Sequence, residues 1–67
     1  MRTFYVVLAH DFKYITVIIK TKGGKYFNEE KVKILAAKTD KFIDKDKLVI
    51  VNAIEFRTEE ELEDFIE

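Results

Sequence analysis

The sequence predicts a small α+β domain: a mainly antiparallel three-stranded sheet with two helices, in the order β-β-α-β-α. Two runs rich in aromatic and β-branched residues, TFYVVLA and YITVIIKT, stand four residues apart, the spacing of a hairpin. A third such run, LVIVNAIEF, follows a stretch of helical periodicity. Helix-start chemistry appears twice, at Asn28 and at Thr58. With no linker, repeat or low-complexity tract between these elements, residues 1–67 read as one domain.

The first strand is expected over Thr3 to Ala9 and the second over Tyr14 to Thr21, with Asp11 in the connecting HDFK turn. Neither alternates cleanly between apolar and polar. Phe4, Val6 and Leu8 point one way and Tyr5, Val7 and Ala9 the other, so both sheet faces read as apolar. Next, Asn28 is a good N-cap followed by Glu29 and Glu30, where the helix dipole favours acids, and Phe27 and Val32 are placed as a hydrophobic staple. Val32, Leu35, Ala36, Thr39, Phe42 and Ile43 then recur at helical spacing, which predicts a helix from Glu29 to about Ile43. The competing reading is a strand, from the alternation of Lys31, Val32, Lys33 and Ile34. The third strand is expected over Leu48 to Phe56, with Leu48, Ile50, Ile54 and Phe56 on one face and Val49, Val51 and Ala53 on the other. Thr58 and Glu61 spell a capping box that opens a last helix, with Leu62, Phe65 and Ile66 as its inner stripe.

Composition narrows the chemistry. There is no Cys, so neither a disulfide nor a thiolate zinc site can form, and one histidine, His10, cannot build a histidine metal site. No metal and no cofactor is expected. No apolar run approaches the ~18 residues of a membrane span, and the start MRTFYVVLAHD lacks a small-residue cleavage site, so the expectation is a cytoplasmic protein without membrane contact. The lack of Pro, Ser, Gln and Trp beside abundant Lys, Glu, Ile and Phe suits an AT-rich genome, such as that of a Gram-positive bacterium or its phages, or a heat-adapted organism. The net charge of −1 hides an asymmetry: residues 1–27 carry five bases and one acid, whereas residues 48–67 carry Arg57 and seven acids. An electrostatic function is therefore sought first at the C-terminal end.

Three stretches could carry chemistry. KTKGGKYF, residues 20–27, has neither the P-loop nor the dinucleotide-binding glycine spacing. Its Gly-Gly fits a type I′ turn, with Lys22 across from Lys25, Thr21 from Tyr26 and Lys20 from Phe27. Lys20, Lys22 and Lys25 beside Tyr26 could touch nucleic-acid phosphates while the ring stacks on a base. His10-Asp11 is the one pair suggestive of acid-base work, but it sits in a turn without a Ser or Cys nucleophile, so no catalytic residue is expected. Glu29-Glu30 and Glu59-Glu60-Glu61 fall in first helical turns, where the dipole alone favours acids. Glu60, Glu63, Asp64 and Glu67 form a ridge on the last helix, and no lysine occurs over residues 58–67, whereas a solubilising surface mixes both signs. Asn52, mid-strand, either pairs across a dimer axis or faces solvent.

The leading expectation is a non-enzymatic protein-interaction module. It binds a protein partner, such as a nucleic-acid-binding protein, through Glu60, Glu63, Asp64 and Glu67, in the manner of the inhibitors and modulators that phages and mobile elements encode. A sheet apolar on both faces with a short last helix predicts a homodimer or an obligate partner. A nucleic-acid-binding regulator using Lys20, Lys22, Lys25 and Tyr26 ranks second.

Overall fold

The computed structural model describes residues 1–11 and 13–66. It has the α+β order expected: β1 (Arg2–His10), β2 (Lys13–Thr21), α1 (Glu29–Ala37), a single 3-10 turn (Lys45–Lys47), β3 (Val49–Phe56) and α2 (Glu59–Ile66). The sheet order is β2-β1-β3, antiparallel throughout, which puts β1 at the centre. That placement suits its sequence, in which Phe4–Ala9 is apolar without interruption. No helix is long and apolar enough to cross a membrane.

His10 pairs with Lys13, so the β1–β2 connection is a two-residue turn. Asp11 takes a φ of 53° there, a left-handed conformation that Asp tolerates better than most residues. On one sheet face Phe4, Val6 and Leu8 meet Ile15 and Val17 of β2 and lie beneath Phe27, Val32 and Ala36. This is the core. α1 starts as expected: the Asn28 side chain accepts from Lys31 N at 3.1 Å, and both staple residues are buried in that core. The strand alternative for this segment falls.

α1 ends at Ala37, six residues before the expected end at Ile43. Thr39 and Asp40 explain the difference, because both offer the backbone side-chain partners that compete with helix. Thr39 Oγ1 donates to Ala36 O at 2.7 Å, and Asp40 Oδ1 accepts from Phe42 N at 2.9 Å. Phe42 is consequently exposed rather than part of an inner stripe, while Ile43 still packs against the core.

The second departure lies in β3. Val7 pairs with Asn52 and Leu8 with Ile50, which leaves Val51 as the extra residue of a β-bulge. One inserted residue reverses side-chain parity beyond it. Ile50 and Ala53 therefore pack together on the core face, whereas Ile54 and Phe56, opposite Tyr5 and Thr3, lie on the other face. The expected grouping of Ile50 with Ile54 and Phe56 is wrong for that reason. Asn52 is explained locally: its Oδ1 accepts from Ala53 N at 2.9 Å, beside the bulge.

Arg2 ties three elements together. Its guanidinium makes a two-point pair with Glu55 of β3 (Nε to Oε2 2.8 Å, Nη2 to Oε1 2.7 Å) and donates from Nη1 to Gly24 O at 2.9 Å. It also lies 5.1 Å above the Phe4 ring. The hydrogen bonds from Arg2 hold the Glu55 carboxyl below its ordinary value of 4.5. Lys45 does the same for Glu30, and the Phe42 amide, followed by Lys13, does it for Asp40. A carboxylate with a lowered folded pKa contributes stability that is complete above its unfolded pKa and is lost as pH falls through the folded one. Thermal melting should thus move to lower temperature below about pH 4.5. Glu55→Gln should melt lower than the parent at pH 7 and show a shallower acid decline, read from melting temperatures across pH 2–7. Parallel pH profiles for the two proteins would refute the assignment.

Candidate functional site

The two surfaces singled out by the sequence lie at the same end of the sheet, joined through Lys20. α2 begins at the Thr58 cap, whose Oγ1 accepts from Glu61 N at 3.2 Å and whose carbonyl accepts from Leu62 N at 3.3 Å. The returning half of the expected capping box is displaced by one residue. Glu61 Oε2 accepts from Arg57 N at 3.3 Å rather than from Thr58 N, and its other oxygen lies 3.5 Å from Arg57 Nη2. Capping and this pair engage Glu61, while Glu59 pairs with Lys20 of β2.

Glu60, Glu63 and Asp64 are left exposed, with no ion pair among the described residues. Glu67, the fourth residue of the expected ridge, lies outside the described residues. Of the expected inner stripe only Leu62 is buried. Phe65 sets its ring against Tyr5 (5.3 Å, 70°) and Phe56 (5.3 Å, 50°), on the sheet face opposite α1, yet remains 52% exposed, and Ile66 is 49% exposed. Ile18, Leu62 and Ile66 line a shallow cleft of about 240 Å³ between β2 and α2, rimmed by Lys20, Glu59 and Glu63. An apolar strip and unpaired carboxylates thus share one helix.

The lysine segment folds partly as expected. Gly23 and Gly24 take φ of 66° and 71°, and Lys25 N donates to Lys22 O at 3.4 Å. Both central residues need positive φ, which glycine adopts without strain. No strand follows the turn, however, so the expected pairing of Thr21 with Tyr26 and of Lys20 with Phe27 does not form. The chain instead bends toward α1: the Thr21 hydroxyl donates to Lys25 O, and Tyr26 packs edge-on against Phe4 at 5.0 Å. This bend creates a groove of about 430 Å³ whose lining includes Lys20, Lys22, Lys25, Tyr26, Asn28 and Lys31. All four residues of the alternative site are therefore brought together. Lys31 joins them without having been expected; the signal was its position three residues after the Asn28 cap, in the first turn of a helix that folds back over the end of β2.

His10 has a structural contact. Its Nε2 accepts from Asp44 N at 3.1 Å, which ties the end of β1 to the segment after α1. A neutral imidazole accepting at Nε2 carries its proton on Nδ1, and the Asp11 carboxylate lies 3.7 Å from that nitrogen, beyond hydrogen-bonding distance. Among the described residues no three His, Asp or Glu side chains converge as metal ligands. The chain matches no protein-family model, no curated protein and no solved structure.

Proposed function

We propose that the chain is a non-enzymatic protein-interaction module whose partner-binding surface is the carboxylate ridge of α2 with the apolar strip beside it. The observation that supports this reading is the composition of that helix surface. Glu60, Glu63 and Asp64 have no cationic partner among the described residues, and Phe65 and Ile66 stay half exposed next to them. Apolar groups supply contact area, and a row of like charge supplies orientation and selection against acidic partners. The complementary partner is a protein with an apolar groove rimmed by Lys or Arg. Nucleic-acid-binding proteins carry such surfaces, so an inhibitor or modulator of one, as phages and mobile elements encode, is the class of function that fits. The engagement of His10 by a backbone amide supports a non-catalytic role for that residue.

A second copy of the chain belongs to the same reading. α2 spans only part of its sheet face, and Tyr14, Val49 and Val51 remain exposed away from it. A homodimer would cover such residues, and β3 has a free edge open to pairing. Sedimentation at tens of micromolar should report a dimer; a monomer throughout would remove this part of the proposal.

The immobilised protein should capture one dominant protein from bacterial lysate, with or without nuclease treatment. Changing Glu60→Lys, Glu63→Lys and Asp64→Lys together should abolish capture while leaving the far-UV circular dichroism intact. Capture that survives the three changes would sink the ridge as the binding surface.

A further inference from the structure

We propose that the groove between the end of β2, the Gly23-Gly24 turn and the start of α1 binds single-stranded nucleic acid, and that Glu59 of α2 competes with its phosphates for Lys20. The site is separate from the carboxylate ridge. Lys20, Lys22, Lys25 and Lys31 line one groove of about 430 Å³. Among the described residues Lys22, Lys25 and Lys31 make no ion pair, a property shared with Lys33, Lys38, Lys41 and Lys47; what sets the three apart is that they line one groove. Unpaired like charges gathered in a groove concentrate the potential that attracts a polyanion.

The choice of a single strand rests on Tyr26. Tyr26 is 60% exposed at the groove wall, although its ring meets Phe4 edge-on at 5.0 Å and lies tilted against Phe27 at 4.4 Å and 30°, with the Arg2 guanidinium 5.6 Å above it. An exposed aromatic beside cations is what an unstacked base meets in sequence-tolerant single-strand binding. A duplex keeps its bases stacked and would use the lysines alone. Lys20 supplies the competition. It borders this groove and also the cleft under α2, and its Nζ is paired with Glu59. A phosphate drawing Lys20 into the groove must break that pair, so filling the groove weakens one attachment of α2.

The test is fluorescence anisotropy of a labelled oligothymidylate, with a duplex of equal length alongside, over a salt series. Four phosphate contacts predict a slope of log affinity against log salt of up to about −2.8 for a single strand, at about −0.7 per phosphate. Lys22→Gln, Lys25→Gln and Lys31→Gln should each flatten the slope by about 0.7. Glu59→Gln should tighten binding and steepen the slope, because Lys20 no longer has a competitor. Glu29→Gln, which removes an exposed charge next to Asn28 that is not paired with Lys20, should leave the slope unchanged. Tyr26→Leu should weaken single-strand binding by roughly five-fold or more and leave duplex binding alone. Lys31→Gln stands as an independent readout should Tyr26→Leu fail to fold, since Lys31 is exposed. Absence of binding at low salt overturns the site. Equal affinity for duplex with no effect of Tyr26→Leu overturns the single-strand assignment, and identical behaviour of Glu59→Gln and Glu29→Gln overturns the competition.

Discussion

Phe4→Ala should unfold the domain at room temperature. Phe4 is fully buried near the start of the middle strand, with the rings of Tyr26 and Phe27 edge-on at 5.0 and 5.2 Å and the Arg2 guanidinium 5.1 Å away. Truncating a buried Phe costs about 3–5 kcal/mol, because the lost transfer free energy is joined by the cavity left behind. A domain of this size rarely holds more than about 3–5 kcal/mol in total. The two figures are equal, so the folded population should collapse instead of merely shifting its midpoint. The loss should also reach the groove, because Tyr26 and Arg2 both rest on this ring. Urea titration followed by far-UV circular dichroism checks it, and a cooperative transition with a midpoint near that of the parent would contradict it. Phe4→Leu, which keeps most of the volume, should retain the fold at reduced stability.

The sheet and both helix starts were legible because they rest on short-range chemistry. The β-branched and aromatic runs, the Asn28 cap, the Thr58 cap and the Gly-Gly turn each act over a few residues, and each forms as its local pattern dictates. The misreadings have equally physical causes. Val32, Ala36 and Ile43 all reach the core, so periodicity alone carried the helix on to Ile43, whereas Thr39 and Asp40 end it at Ala37 through side-chain bonds to the backbone. The Val51 bulge was hard to read because LVIVNAIEF is mostly apolar at both parities, and its one trace is Asn52, which interrupts the set of Leu48, Ile50, Ile54 and Phe56 where the faces reverse. The groove was half legible. Lys20, Lys22, Lys25 and Tyr26 are neighbours in the chain, but Lys31 reaches them only because the segment after the glycines bends toward α1 instead of pairing as a strand.

The uneven charge along the chain gains a spatial meaning once folded. The basic first segment brings Lys20, Lys22 and Lys25 to one end of the sheet, and the acidic last segment lays α2 beside them. They touch at Lys20 and Glu59. A surface pair of this sort stabilises by only about 0–1 kcal/mol, so it is better suited to being exchanged than to holding the fold. α2 must be held by something else.

That something is Leu62, and Leu62→Ala should release α2 without unfolding the rest. It is the one buried side chain of the helix, and it is not part of the core cluster beneath α1. Losing it costs about 2–5 kcal/mol by analogy with other buried Leu→Ala changes. The remaining attachments of α2 include the half-exposed Phe65 against Tyr5 and Phe56, Ile66 in the cleft beside Ile18, and the Lys20–Glu59 pair. Eight residues of helix cannot persist alone in water, since nucleation is unfavourable and isolated helices shorter than ~12–15 residues are marginal. Helix and docking should therefore be lost together. The core formed by Phe4, Val6, Leu8, Val32 and Ala36 does not include Leu62, so strand signals and the protection of β1 amides should survive. Limited proteolysis with a Glu-specific protease should cut Leu62→Ala rapidly within α2 while sparing α1, and hydrogen exchange should show β1 still protected. With the ridge no longer presented on a helix, partner capture through Glu60, Glu63 and Asp64 should fail, whereas nucleic-acid binding at the groove should persist or strengthen as Lys20 is freed. Global unfolding of Leu62→Ala would instead show that both sheet faces form one cooperative unit.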